Sequence, residues 1–503
     1  MEPEFLRLIK NGTLQCGKII DENGIKRFER VDAKDIENIP EDERAFATPS
    51  MGRAIFTIDK DGTVHNFKGV DSKIELERLG PMELANARHI EYSQEPGQYK
   101  VSAVVFCDKK PEIRINGTSP LEDVEIEGDV NTRMGKLGVK VPQIKYIREI
   151  PEDFCKKYGL PIQVDGSLDD FDSDYAVEDD QRKERLGSVF GPNYKQELGE
   201  GKRPETLREY LGRIGFLDST QVQADIMSLG FSMDAFVEAV DRIYSRGQRY
   251  GQAERIMGSP FRITDLEASV KNKDIEKLES IMDYTEKHNP DFTQKIAESF
   301  GKNIAVIMNN GWEIDNFMMR QDFSLTGEFC DDAYFDIREK SDELNSRYQD
   351  RPYIAEAEKA GIRRRFSAQV MHVASCIKVV QDAMEMTGKS QEQIDSILDK
   401  YVDSFVSNLD YQKLGQLFNV AEQVVQGALM QEFSKDQDWI QKLAGANRKE
   451  GIILDDQVLN AHSKNEDYYK MVAGKITDRL RVRQAKVDAQ NTHNEQNTDD
   501  EGR

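Results

Sequence analysis

The stretch "NNGWEIDNFMMRQDFSLTGEFCDD", Asn309 to Asp332, places an Asp-Asn pair, Asp315-Asn316, on one side of a short hairpin-like segment. A second acidic group, Glu328, Asp331 and Asp332, stands on the other side. Carboxylate and amide oxygens are ligands for hard divalent cations, and a cation held this way offsets the charge of a phosphate. The competing reading is a solvated acidic hairpin, which composition favours because Asp and Glu supply 92 of the 503 residues. Two further residues bear on the choice. Lys68 closes a strand-like run in "VHNFKGV", flanked by Phe67 and Gly69, and Glu127 lies on a later helical stretch. A strand lysine oriented by a helix glutamate presents a cation to phosphates. Taken singly, Lys68 reads as a snorkelling surface lysine and Glu127 as a solvated helix residue.

Other metal chemistry is poorly supplied. The five cysteines, Cys16, Cys107, Cys155, Cys330 and Cys376, are scattered without CxxC spacing, and the six histidines are equally dispersed. A metal here must be held by oxygen, which points to Mg²⁺ or Mn²⁺. The formal charge of -23 argues against general nucleic-acid binding and favours basic or neutral partners. No run reaches the length of a membrane span, and "MEPEFLRLIKNG" has no apolar signal core. These features predict a cytoplasmic protein with no membrane contact, or one delivered by a route that leaves no cleavable signal.

The positioning elements change along the chain. Residues 1–150 read as strand-rich, with a hairpin at Asp61-Gly62 in "RAIFTIDKDGTVHNFKGV" and a second strand pair around Asp108-Lys109-Lys110. "SPLEDVEIEGDVNTRMGKLG" predicts a helix with Ser119 as N-cap, Pro120 in its first turn and Gly138 as its stop. "VKVPQIKYIREI" returns to a strand. Residues 151–252 read as an insertion, partly an acidic loop ("DGSLDDFDSDYAVEDDQRKER") and partly helical. Helical spacing dominates from about 206 to 310 and again beyond 340, so 253–345 is expected as the core of a helical lobe that carries the catalytic and metal loops, 346–485 as a helical C-terminal region and 486–503 as a disordered tail. Strands, one helix, a strand and then helices make an α+β chain. This is the order of a bilobal, protein-kinase-like fold with a helical C-terminal extension.

Read together with "ERIMGSPFRITDLEASVKNKDIEKLESIMDYT", these residues resemble the selenoprotein-O family of pseudokinase-fold AMP transferases. Arg255 and Arg262 repeat that family's pair of arginines with six residues between them, followed in register by "LEASVKNKDIEKL". "NFKG" at Lys68-Gly69 is similar to the family's "QLKG", Asn116-Gly117 to its "DG", and Glu127 follows Asn116 by the same eleven residues. Asp315-Asn316, with Gly311 upstream, resemble the Asp-Asn of its "G-x-M-N-T-D-N" loop. Asp331 is the choice for the Asp of "DYG", with Asp332 and Glu328 as substitutes. The likeness covers residues 45–150 and 253–340. It departs from the family where Asn116 replaces an aspartate, where "DYG" lacks a direct counterpart, and where the connector 151–254 is longer.

The resemblance implies an adenylyltransferase that moves AMP from ATP to a Ser, Thr or Tyr hydroxyl of a protein. Lys68, Asn116, Gly117, Glu127, Arg255 and Arg262 would serve the nucleotide, with the arginines on the β- and γ-phosphates. Asn316 and Asp331 would hold Mg²⁺ or Mn²⁺, and Asp315 would act as the base. Three alternatives stand beside it: an ordinary kinase, which lacks here both "GxGxxG" and "HRD"; an inactive nucleotide-binding scaffold; and an interaction protein working through its helical half. Arg255 and Arg262 can equally be surface cations among acidic neighbours.

Overall fold

The computed structural model describes residues 3–48, 55–70, 90–92, 99–101, 104–106, 112–113, 119–157, 249–314, 320–330, 334–336, 346, 352–434, 436–439, 443 and 465–500. The chain divides into two units, Met1–Gly128 with Gln143–Pro260, and Asp129–Pro142 with Phe261–Arg503. It is a mixed α+β protein, strand-rich in the first unit and helical in the second.

In the first unit, helix α1 (Pro3–Lys10) precedes β1 (Gln15–Glu22), β2 (Ile25–Arg30), β3 (Arg44–Ala47), β4 (Ile55–Ile58) and β5 (Val64–Lys68). The short strands β6 (Ile90–Tyr92), β7 (Tyr99–Val101), β8 (Val104–Phe106) and β9 (Glu112–Ile113) pair in that order as a sheet of their own. The expected turn at Asp108-Lys109-Lys110 lies outside the described residues. Then come β10 (Ser119–Pro120), α2 (Leu121–Leu137), β11 (Gln143–Glu149), α3 (Glu152–Lys157) and β12 (Tyr250–Met257). The main sheet runs β10-β12-β5-β4-β3-β1-β2, with β11 also paired to β12, and every ladder is antiparallel.

Local chemistry explains the elements that the sequence predicts. In the β4–β5 turn the Asp59 carboxylate accepts the N–H groups of Asp61 and Thr63, at 3.1 and 2.9 Å, which fixes the hairpin. Gly138 stops α2 as expected. It sits at φ +93°, open to glycine, and the next N–H, from Val139, turns back to the Met134 carbonyl at 3.1 Å. The start of α2 differs from expectation. Ser119 and Pro120 pair with Gly251 and Tyr250 as β10, and the Leu121 N–H donates to the Arg249 carbonyl at 2.7 Å. Ser119 is therefore a strand residue rather than an N-cap.

Strand β12 falls inside the stretch read as helical. Both its faces are covered, so its burial shows no alternation that sequence spacing could reveal. Its buried polar side chains are matched instead by distant partners. Gln252, for example, accepts the Lys26 N–H at 2.9 Å and donates to the Lys26 carbonyl at 2.8 Å, copying one rung of a ladder. Of the insertion, residues 158–248 lie outside the described residues.

The second unit packs α4 (Ile263–Asn272), α5 (Ile275–His288) and α6 (Phe292–Asn309), followed by β13 (Trp312–Ile314) and β14 (Tyr334–Asp336). Helices α7 (Pro352–Met386), α8 (Gln391–Asn408), α9 (Tyr411–Phe418), α10 (Glu422–Glu432) and α11 (Glu466–Asp500) complete the order. α6 is the core helix, with Ile296, Phe300, Ile304 and Ile307 fully enclosed. A Cβ at Gly301 would meet the Tyr401 carbonyl and the Phe405 N–H, so only glycine lets α8 approach α6 this closely. Buried Tyr401 and Tyr468 donate to the α7 carbonyls of Val370 and Ala374, at 2.7 and 2.9 Å. Helix α11 continues to Asp500, where a disordered tail is expected from composition. No glycine or proline interrupts the sequence between Glu466 and Asp500 apart from Gly474. No helix among the described residues is long and apolar enough to cross a membrane.

Candidate functional site

In the first unit, cross-strand register builds the site. Asn66 lies opposite Arg255, and Lys68 opposite Ala253, so Asn66, Lys68 and Arg255 share one face of the β5–β12 ladder. Glu127 comes from α2. Its Oε2 is ion-paired with the Lys68 Nζ, and its Oε1 accepts from the Arg255 Nη1. Arg255 is only 2% exposed, and its Nε and Nη2 donate to the Asn66 Oδ1 at 3.2 and 2.6 Å. A guanidinium so deep in a protein needs a carboxylate and further acceptors, and this one has both.

The opposite face carries a different network. His65 reaches Glu254 through Nδ1 at 2.9 Å and Asp59 through Nε2 at 3.2 Å, and Lys145 donates to Glu254 at 2.7 Å. Burial pushes the Glu254 carboxyl up, but the Lys145 and His65 hydrogen bonds outweigh it and hold the group below the ordinary range.

In the second unit, Arg262 is the residue before α4. Its N–H is accepted by the Asp265 carboxylate at 2.8 Å, and its backbone bridges to Ser324. The neighbouring bonds, Ile263 N–H to the Phe323 carbonyl at 2.9 Å and Leu325 N–H to the Phe261 carbonyl at 3.0 Å, fasten a hairpin to the start of α4. That hairpin is closed by a Phe323–Phe329 bridge and lies within the segment read as hairpin-like. Glu328, a substitute metal ligand in the sequence reading, serves the hairpin itself. Its Oε2 accepts from the Ser324 and Thr326 hydroxyls, both at 2.9 Å.

Ile314, the last residue of β13, pairs with Tyr334, the first of β14. The chain therefore leaves one strand and enters the other at the same end of the ladder, with Asp315 next after Ile314. The Ile314 N–H is accepted by the buried Gln369 Oε1 of α7 at 3.4 Å. Asn116, Gly117, Asp315, Asn316, Asp331 and Asp332 lie outside the described residues. Among the described residues, no group of three or more His, Cys, Asp or Glu side chains could hold a metal ion. Thus Lys68, Glu127 and Arg255 come together in the first unit, and Arg262 belongs to the second.

Asn66 and Gln369 were missed by the sequence reading. Asn66 had a readable signal: asparagine is disfavoured in strands, and here it stands two residues before Lys68, on the same face. Gln369 had none, because its partner is 55 residues away.

Arg320 pairs with Glu267 of α4 and donates to Ser375 of α7 at 3.3 Å. Burial pushes the Glu267 carboxyl up, but the Arg320 and Lys271 charges dominate and hold it below the ordinary 4.5. A folded value below the unfolded one means stabilisation that is complete above about pH 4.5 and is lost as pH falls through the folded value. Melting temperatures measured across pH 3–7 should therefore show Glu267→Gln destabilised near neutrality and converging on the wild type at the acid end, as expected from about one coupled carboxylate. A gap that stays constant with pH would contradict this origin.

No protein-family model matches the chain, and no curated protein matches its sequence.

Proposed function

We propose that the chain is a kinase-fold adenylyltransferase that moves AMP from ATP to a hydroxyl side chain of a protein. The observation that carries this reading is the convergence of Lys68 and Arg255 on the single buried carboxylate of Glu127. In protein kinases a strand lysine is paired with a helix glutamate and presented to ATP phosphates. Here the lysine ends the third strand of the β3-β4-β5 meander, and the glutamate is on the helix that follows. A second cation beside that pair favours a phosphate over the apolar surroundings that an adenine ring requires.

The Lys68–Glu127–Arg255 cluster suits a phosphate of ATP. Lys68, whose side chain is 23% exposed, is the cation of the cluster that a phosphate oxygen reaches most readily. Asn316 and Asp331 offer the amide and carboxylate oxygens that Mg²⁺ takes, and the bound ion would neutralise triphosphate charge. In the transfer, the acceptor oxygen attacks the α-phosphorus, and the bond from that phosphorus to the β-phosphate oxygen breaks. Pyrophosphate leaves with the electron pair, and Asp315 accepts the hydroxyl proton.

Mass spectrometry of the full chain and a mixed-protein acceptor, after incubation with ATP and Mg²⁺, tests the reading. An adduct of about 329 Da is expected, the mass of AMP less water. An adduct of about 80 Da would replace AMP transfer with phosphate transfer, and no adduct would favour a binding scaffold.

A further inference from the structure

Asn66 is a buried partner of the Lys68–Glu127–Arg255 cluster. It is 2% exposed, and its Nδ2 donates to the Ile55 carbonyl of β4 at 3.3 Å. That bond fixes which way the carboxamide faces. Its Oδ1 then takes one edge of the Arg255 guanidinium, through Nε at 3.2 Å and Nη2 at 2.6 Å. With that edge occupied, the planar fork points Nη1 at the Glu127 carboxylate. Orientation therefore passes from β4 through Asn66 and Arg255 to the glutamate of α2.

We propose that Asn66 is a positioning residue of the AMP-transfer site, and that Asn66 with Arg255 forms the fixed mount of Glu127. Lys68 is then the exchangeable partner, whose ammonium passes from the carboxylate to a phosphate oxygen. This rests on the adenylyltransferase reading. The two cations differ in what release would demand. Withdrawing either cation uncovers one oxygen of the buried Glu127 carboxylate, but withdrawing Arg255 also strands the buried Asn66 Oδ1, whereas Lys68 stands at a strand end on a flexible stem with three rotatable donors. Because Arg255 stays on Glu127, nucleotide can engage Lys68 without undocking α2. The role of Arg255 is thereby narrowed, from a phosphate ligand to the group that holds the lysine's orienting carboxylate.

Two measurements on the full chain test this. The first is AMP transfer from ATP with Mg²⁺ by Asn66→Leu and Asn66→Gln. Leucine keeps the volume and removes the acceptor, so kcat should fall by about tenfold or more while KM for ATP changes less. Glutamine keeps both an acceptor oxygen for Arg255 and an N–H donor for the Ile55 carbonyl, so it should retain most of kcat; equal losses in the two variants would overturn the proposal. The second is a urea-unfolding cycle of Asn66→Leu, Glu127→Gln and the double variant. Coupling by a factor of about five or more in the unfolding constant is expected, since both residues act through Arg255. An additive cycle overturns the mount whatever the activity. A coupled cycle in a chain without AMP transfer supports the mount and removes the adenylyltransferase reading. Should Asn66→Leu not fold, the Gln variant decides alone: loss of its kcat overturns the proposal, and retention supports it.

Discussion

Arg255→Ala is expected to lose about 3–5 kcal/mol of folding stability, read as a lower urea midpoint with an unchanged slope. The residue is 2% exposed, and its removal withdraws two donors from the Asn66 Oδ1 and one from the Glu127 Oε1. A cavity and two under-satisfied buried oxygens remain together. Arg255→Lys keeps the charge but cannot reproduce the two-pronged contact with Asn66, so it should fall between Ala and wild type. Lys68→Met should be the mildest of the three, because Arg255 continues to hold Glu127. A wild-type midpoint for Arg255→Ala would mean that the network contributes nothing to folding.

This ordering changes how the site has to be probed. From sequence alone, Arg255→Ala is expected to abolish AMP transfer and leave the fold intact. The burial of the guanidinium removes the second half of that expectation, so loss of activity in Arg255→Ala says little about catalysis. Lys68→Met, at the more exposed end of the same cluster, separates the two effects.

What the sequence made legible was local. The β4–β5 hairpin follows from Asp59 and the Asp61-Gly62 turn, and the end of α2 follows from Gly138. Both are governed by residues within five positions of each other. The Lys68–Glu127 pair was legible through a family resemblance that supplied the long-range register. Strand β12 was not legible, because its two covered faces erase alternation and its polar residues are satisfied across 100 residues or more, as Glu254 is by Lys145 at a separation of 109. Asn66 was passed over because an asparagine in a strand reads as an exposed edge position until its cross-strand partner is known. Its partner, Arg255, lies 189 residues further on.

The second large effect concerns Asp315. Asp315→Asn should reduce AMP transfer by about 100-fold or more while ATP binding and the fold remain near wild type. The substitution is nearly isosteric and removes only the capacity to accept a proton. The fold should tolerate it, because the residue it follows is held by its own packing and hydrogen bonds. Ile314 is fully enclosed, paired with Tyr334, and its N–H is accepted by Gln369. Asp478→Asn provides the control: it carries the same change in charge at an exposed carboxylate and has no part in the proposed chemistry. Single-turnover transfer measured with saturating ATP separates the two variants, since binding differences then drop out. If Asp315→Asn turns over as fast as Asp478→Asn, the base lies elsewhere, and the Asp-Asn pair reverts to the acidic hairpin that composition alone favours.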